Sequence, residues 1–352
     1  PHPCLASVIV PVFNGAKTLN ACLDALSAQR TPTGLPSAMV GVHSVGARSP
    51  RPYEVIVVDD GSVDGSAEIA AQHGVTVICQ DHAGVAVARN QGAQQARGQL
   101  LLFTDADCEP LPDWVEQMMA PFADADVIGV KGAYRTRQRS LVSRFAQAEY
   151  EEKYARLRKR GQIDFIDTYA AAYRRDVFLA EGGFNPEFLR NQDQEFSFRL
   201  ARSGHKLVFA PQAVVYHQHP TTVWRYAWRK VRVGRWKVRV HALHPSKAFR
   251  DSYTPWTQKA QIVLVPVTGM AAAAAVLGLI PAAAAWASAA IAAVLGFITC
   301  APLMMNATRH GWQVVLIVPL LAFVRALALG LGIIWGLLGW GLLGHVRHIA
   351  GR

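Results

Sequence analysis

Residues 100–110 read Leu-Leu-Leu-Phe-Thr-Asp-Ala-Asp-Cys-Glu-Pro. The apolar run 100–103 predicts a buried parallel strand, and it stops at two carboxylates, Asp105 and Asp107. On extended chain, i and i+2 side chains share a face, so both are expected just past the strand's carboxyl end. Open α/β sheets bind their ligands there. Two hard oxygen donors suit Mg²⁺ or Mn²⁺, with phosphates completing the shell. A plain turn followed by an Asp113 helix cap is the competing reading of this stretch. An EF-hand loop is excluded because its sixth position must be glycine and here is Pro110.

Upstream, residues 6–13 (Ala-Ser-Val-Ile-Val-Pro-Val-Phe) read as a buried strand broken at Asn14-Gly15. A helix follows over 17–29, with apolar Leu19, Cys22, Leu23 and Leu26 on one face. Residues 31–52 are rich in Pro, Gly and Ser and are expected to be a surface insertion. A second strand over 53–58 ends in Asp59-Asp60-Gly61-Ser62. Then come a helix over 64–73, a short strand over 75–79 and a helix over 84–96 carrying Arg89. This alternation predicts parallel, right-handed βαβ units with a nucleotide-sized crevice at the strand ends.

Four stretches, Ser-Val-Ile-Val-Pro-Val-Phe-Asn, Val-Ile-Val-Val-Asp-Asp-Gly-Ser, Ala-Arg-Asn-Gln-Gly and Phe-Thr-Asp-Ala-Asp-Cys, occur in this order. Together they resemble the family-2 glycosyltransferases over residues 5–219. The resemblance implies an α/β GT-A nucleotide-sugar transferase fold, Rossmann-like with a mostly parallel sheet. It also implies roles: Pro11 closing over the nucleotide base by its backbone, and Asp60 accepting from a base N–H. Arg89 would lie near base or phosphates, Asp105 near ribose and metal, and Asp107 would ligate the metal directly.

Downstream, residues 191–195 read Asn-Gln-Asp-Gln-Glu where the family usually carries Glu-Asp-x-Asp. Asp193 thus occupies the catalytic-base position and Glu195 that of the following acid, while Gln192 replaces the first acid. That replacement removes a like charge which would have raised the Asp193 pKa. A plain N-cap for the helix that follows is the alternative for Asp193. After a last strand over 208–216, His217 is the candidate third metal contact.

Lys and Arg exceed Asp and Glu by 36 − 25 = 11, which calls for an anionic partner. The five cysteines form no Cys-x-x-Cys pair, which argues against a disulfide framework or a zinc site and fits a reducing compartment. The opening residues carry no signal-peptide pattern. Residues 222–250 contain Arg225, Arg229, Arg232, Arg235 and Arg239 in one helical stripe beside Trp224, Trp228 and Trp236. That pattern predicts an amphipathic helix in a membrane interface. RNA binding is disfavoured because apolar segments follow directly. Arg235-Trp236 resembles part of the Gln-x-x-Arg-Trp motif of processive synthases, but Arg232 stands where that motif has Gln.

Beyond Gln261 the chain is almost wholly apolar. Residues 262–280 and 282–303 are each long enough to span a bilayer, and 314–344 is one long helix or a helix plus a re-entrant piece. Arg325 in that last segment is expected either to meet a lipid phosphate or to snorkel.

The expected organisation is a catalytic domain over 5–220, a basic interfacial region over 221–258 and two or three membrane helices over 259–352. The expected activity is inverting transfer from a nucleotide-diphosphate sugar to a lipid-linked or glycan acceptor. It would need Mg²⁺ or Mn²⁺ and would occur at the cytoplasmic face of the inner membrane. The partners are then donor, acceptor and membrane lipids, with no nucleic acid. The alternatives are a processive polysaccharide synthase and a non-catalytic nucleotide-sugar-binding membrane protein.

Overall fold

The computed structural model describes residues 5–30, 53–248 and 250–341. The expected insertion at 31–52 and the end of the last apolar segment lie outside these residues. In chain order the elements begin with β1 (Ala6–Val12), α1 (Ala16–Ser27), β2 (Tyr53–Asp59), α2 (Ser66–Gln72), β3 (Thr76–Cys79) and α3 (Val85–Gln95). Next are β4 (Leu100–Phe103), β5 (Cys108–Pro110), α4 (Trp114–Met119), β6 (Val127–Arg135), α5 (Leu141–Leu157) and β7 (Ala171–Arg174). Then follow α6 (Arg175–Ala180), α7 (Gln192–Arg202), β8 (Lys206–His217), α8 (Val223–Leu243), α9 (Trp256–Val276), α10 (Ala282–Ala307) and α11 (Trp312–Gly341).

Two compact units result. The first comprises the described residues within 1–137 and 158–218, the second those within 138–157 and 219–352. Helix α5 therefore belongs with the C-terminal helices.

The first unit is built on one sheet in the order β3-β2-β1-β4-β7-β6-β8-β5. Strands β1 to β4 pair in parallel, as do β6 and β8, while β7 runs antiparallel to β4 and β6. Strand order reverses between β1 and β4, which makes the crevice at their carboxyl ends the natural ligand site. All seven residues of β1 are buried, as its continuous apolar run requires. Gly92 lets α3 approach the sheet: a Cβ there would lie 2.6 Å from an Ile9 methyl. Below the crevice, Phe103, Tyr173, Phe178, Phe184 and Phe196 pack edge to face or tilted, with centroids as close as 5.0 Å. Phe196 is on α7, so this aromatic core fixes the helix that carries Asp193.

Among the described residues, the second unit holds three helices long and apolar enough to cross a membrane: residues 256–276, 282–310 and 312–340, with mean hydropathies of 1.5, 2.0 and 2.5. Half of the most apolar window of the third is buried, against 6% and 17% for the others, so α11 is the inner helix. It is continuous over its described length. Helix α8 packs against it through glycines, and a Cβ on Gly332 would lie 2.1 Å from the Val231 carbonyl oxygen. Trp228 stacks on Trp335 and the Arg235 guanidinium lies 4.1 Å from the same ring. Arg325 neither snorkels nor faces lipid. It is buried, with Nη1 2.6 Å from Glu149 Oε1 on α5 and Nη2 2.6 Å from Gln261 Oε1 on α9.

Candidate active site

The stretch that opened the reading forms β4 and then a turn. The Cys108 N–H donates to the Asp105 carbonyl at 3.0 Å, so residues 105–107 are not extended and strand alternation does not apply. The two carboxylates consequently have different partners. Asp105 Oδ1 accepts from Arg89 Nη2 at 2.5 Å, with the arginine side chain almost fully buried. Burial pushes the Asp105 carboxyl up, opposed by the Arg89 charge and reinforced by Asp107.

Asp107 instead faces His217, whose Nδ1 lies 3.5 Å from Asp107 Oδ1. His217 is the last residue of β8 and sits opposite Cys108 in the antiparallel β5–β8 pairing. Its imidazole stacks on Tyr169 at 4.3 Å and meets Tyr134 edge-on at 5.6 Å. Ligand atoms of Asp107, Cys108 and His217 lie within 4.8 Å of one another, close enough to hold one metal ion. A carboxylate, an imidazole and a thiol fit a divalent transition ion. Cys108 was not among the sequence candidates, and only pairing with β8 brings its thiol beside the imidazole.

The β1 and β2 loops are laced together. Asn14, at φ 51°, accepts from the Val63 N–H at 3.0 Å, and Ser62 Oγ accepts from the Asn14 N–H at 2.9 Å. Pro11 lies within β1 and is buried, in register with Val58. Asp60 is also buried, and its oxygens accept from Gln80 Nε2 (2.6 Å), the Ala83 N–H (2.8 Å) and the Gly84 N–H (3.0 Å). His82 Nδ1 lies 2.9 Å from Asp60 Oδ2, and the His82 ring stacks on exposed Phe13 with centroids 4.1 Å apart. This exposed aromatic pair beside Asp60 was not singled out from the sequence.

Asn90, next to Arg89, ties α3 to the segment ahead of α7. Its Nδ2 donates to the Phe184 carbonyl at 2.7 Å, and its Oδ1 accepts from the Phe184 N–H at 2.9 Å. Asn191, at φ 59°, is the cap residue of helix α7, so Asp193 lies in the first turn rather than at the cap. Asp193 is half-buried and Oδ1 accepts from the Gln194 N–H at 2.8 Å. Glu195 is buried and paired with Arg199 at 3.0 Å.

Burial, and then the Asp167 charge, raise the Asp193 pKa to about 6, against the opposing pull of Arg89 and Lys131. Loss of the neighbouring acid at Gln192 therefore does not keep it low: desolvation dominates, and Asp167 supplies the like charge. Asp167 is itself bound to Lys131 at 2.5 Å, both fully within the core. A lysine inside an otherwise apolar strand was the one available sequence signal for this pair.

The family model "Glycosyl transferase family group 2" matches residues 100–343, and "Glycosyl transferase family 2" matches residues 7–180. Glycosyltransferase AglE of Haloferax volcanii is 28% identical over 247 residues, 67% of this chain and 74% of its own length. Pre-mycofactocin glycosyltransferase of Mycobacterium tuberculosis is 26% identical over 207 residues, 56% of this chain, which spans only 44% of that relative. Among solved structures, the mannosyltransferase PcManGT from Pyrobaculum calidifontis, in complex with GDP-Man and Mn²⁺, aligns with a TM-score of 0.55 at 20% identity. It covers 94% of this chain and 87% of its own. That likeness establishes the fold. Crevice, carboxylates and family match agree: the chain belongs to glycosyl transferase family 2 and is a GT-A glycosyltransferase with apolar C-terminal helices.

Proposed function

We propose that this enzyme is a membrane-anchored, inverting glycosyltransferase. It would move a sugar from a nucleotide-diphosphate donor to a lipid-linked or glycan acceptor at the cytoplasmic face of the inner membrane. The observation that carries this reading is Asp193: a half-buried carboxyl of raised pKa, in the same unit as Asp105, Asp107 and His217, and sensing the Arg89 charge that also holds Asp105. A relative named undecaprenyl-phosphate 4-deoxy-4-formamido-L-arabinose transferase, 28% identical over 182 residues, supports a lipid-linked acceptor.

In this mechanism the acceptor hydroxyl oxygen forms a bond to the anomeric carbon while the bond to the donor diphosphate breaks, and the hydroxyl proton passes to Asp193. The electron pair leaves with the diphosphate. Arg89 and the Asp105 and Asp107 loop hold that end of the donor. Asp107 and His217, with Cys108 beside them, would hold Mg²⁺ or Mn²⁺, which supplies charge stabilisation for the departing diphosphate. On the base side, Pro11 lends its backbone and Asp60 one acceptor position. His82, a partner of Asp60 whose side chain is 58% exposed, is the one that can yield to a base N–H. Phe13 gives the base a face to stack on.

The test is the full chain, purified in detergent and supplied with a panel of nucleotide sugars, Mn²⁺ and hydroxyl-bearing lipid-linked glycan acceptors. Release of nucleoside diphosphate with formation of a glycosylated lipid is expected for one donor. Turnover that persists unchanged in Asp193→Asn would refute the base assignment.

A further inference from the structure

The second unit contains a buried ionic cluster that the transfer reaction does not use. Its centre is Glu149 of α5. Oε1 accepts from Arg325 Nη1 at 2.6 Å and Lys230 Nζ at 3.3 Å; Oε2 accepts from Lys230 Nζ at 3.1 Å and the Tyr226 hydroxyl at 2.9 Å. Both oxygens are thus saturated. Although burial alone would raise its pKa, the charges of Lys230, Arg325 and Lys153 hold this carboxyl well below the usual range.

Two further cations have no such partner. Lys153, one turn along α5 from Glu149, places Nζ 5.0 Å from the Tyr150 ring centroid and 4.3 Å from that of Tyr253. It makes no hydrogen bond to an acceptor among the described residues. Burial, then Lys230, press its pKa down to about 7, with Lys237 and Arg325 adding to Lys230 and Glu149 opposing; the buried Glu152 carboxyl beside it also feels the Lys153 charge. Lys237 of α8, half-buried, feels the Asp251 charge, but that carboxylate is already held by Lys259 Nζ at 2.7 Å and by the Tyr253 N–H at 2.9 Å. An uncompensated buried cation is costly, so this arrangement calls for an anion.

The same cluster ends one wall of a cavity of about 300 Å³ between α9, α10 and α11. Its lining is apolar, including Leu264, Val265, Ala293, Phe297 and Phe323, except at Gln261 and Thr268. Gln261 accepts from Arg325 and so joins the cavity to the cluster. An apolar slot with cations at its polar end matches an amphiphile with an anionic head.

We propose that the second unit binds a long-chain phosphate monoester, with the phosphate at Lys153 and Lys237 beside Lys230 and the chain in the cavity between α9, α10 and α11. Charge selects the head. Arg325, Lys230, Lys153, Lys237 and Lys259 face the carboxylates Glu149, Glu152 and Asp251, which leaves two positive charges, and a phosphate monoester carries nearly two negative charges at neutral pH, whereas a phosphodiester carries one. The inference goes beyond the function proposed above: a dianionic monoester brings no hydroxyl proton for Asp193 to take, and the binding site itself does not depend on turnover.

The probe is dodecyl phosphate, titrated into the full chain in nanodiscs of zwitterionic lipid, with binding read by native mass spectrometry and by thermal stabilisation. Dodecyl phosphate is expected to bind at least about tenfold more tightly than its methyl diester, dodecanol or inorganic phosphate. Lys153→Met should lose about tenfold in affinity while keeping its own thermal transition. Ala293→Trp, which fills the cavity, should weaken dodecyl phosphate and leave inorganic phosphate unchanged. If Lys153→Met does not fold, Lys237→Met provides the same comparison. Equal binding of the diester would make the occupant bulk phospholipid; equal binding of inorganic phosphate would make it free phosphate; either overturns the proposal, as does unchanged affinity in the variants. A preparation that turns over a nucleotide sugar but ignores dodecyl phosphate refutes this inference alone. One that binds dodecyl phosphate but turns over no nucleotide sugar refutes the proposed function alone.

Discussion

Arg89 Nη2 lies 2.5 Å from Asp105 Oδ1, so the arginine of the Ala-Arg-Asn stretch and the first acid of Asp-Ala-Asp form one ion pair beneath the crevice. Removing one member leaves a buried charge uncompensated, which costs about 3–5 kcal/mol. Arg89→Met should therefore lower the thermal transition sharply and abolish transfer. Asp105→Asn added to it should restore much of the stability but none of the activity. Scanning calorimetry and donor turnover on the three proteins check this. Stability in the double variant no better than in Arg89→Met would show that the pair is not what holds the loop.

The raised pKa of Asp193 sets a pH dependence. As a base it must be ionised, so the rate should rise with pH through about 6 and level off above it. Stability runs the other way. The folded state keeps this proton to a higher pH than the unfolded chain, so Asp193 lowers stability as pH rises from the ordinary carboxylate range through about 6. Asp193→Asn should lose at least about 10²-fold in rate. It should also unfold at a higher temperature than the native chain at pH 8, with the gain absent at pH 4. Parallel melting curves at the two pH values decide the second point.

Asp167 offers a way to move that profile without touching the base. Its charge raises the Asp193 pKa, and Lys131, released from its partner, lowers it further. Asp167→Asn should shift the acidic limb of the rate profile down by about one pH unit. Because Lys131 is then buried alone, the protein should also lose about 3–5 kcal/mol of stability. A limb that stays in place would assign the raised pKa to burial only.

The pairing of Asp107 with His217 predicts a metal effect separable from turnover. His217→Ala should weaken Mn²⁺ about tenfold or more, read by electron paramagnetic resonance of free Mn²⁺. Cys108→Ser should leave Mn²⁺ nearly unchanged, because burial and the nearby Asp107 charge push the Cys108 thiol well above its ordinary pKa. The same variant should bind Cd²⁺ far more weakly, since a soft ion gains most from a thiolate.

What the sequence determined is what local pattern can carry. Continuous apolar runs, β1 and β4 among them, were legible as buried parallel strands, and acids at their ends placed the crevice. The long apolar segments were legible as membrane-length helices because length and hydropathy alone define them. Tertiary structure decided which charges meet. Asp105 and Asp107 are adjacent acids of the same motif, yet the turn between them directs one to Arg89 and the other to His217. Cys108 meets Asp107 and His217 only through a register with β8 that spans more than a hundred residues. Arg325, whether read as lipid-facing or snorkelling, proved to be paired with Glu149 from a helix 176 residues earlier. The physical reason is common to all three. Strand and helix periodicity follow from backbone geometry and are written locally, whereas the partner of a buried charge is fixed by packing, which no single segment contains.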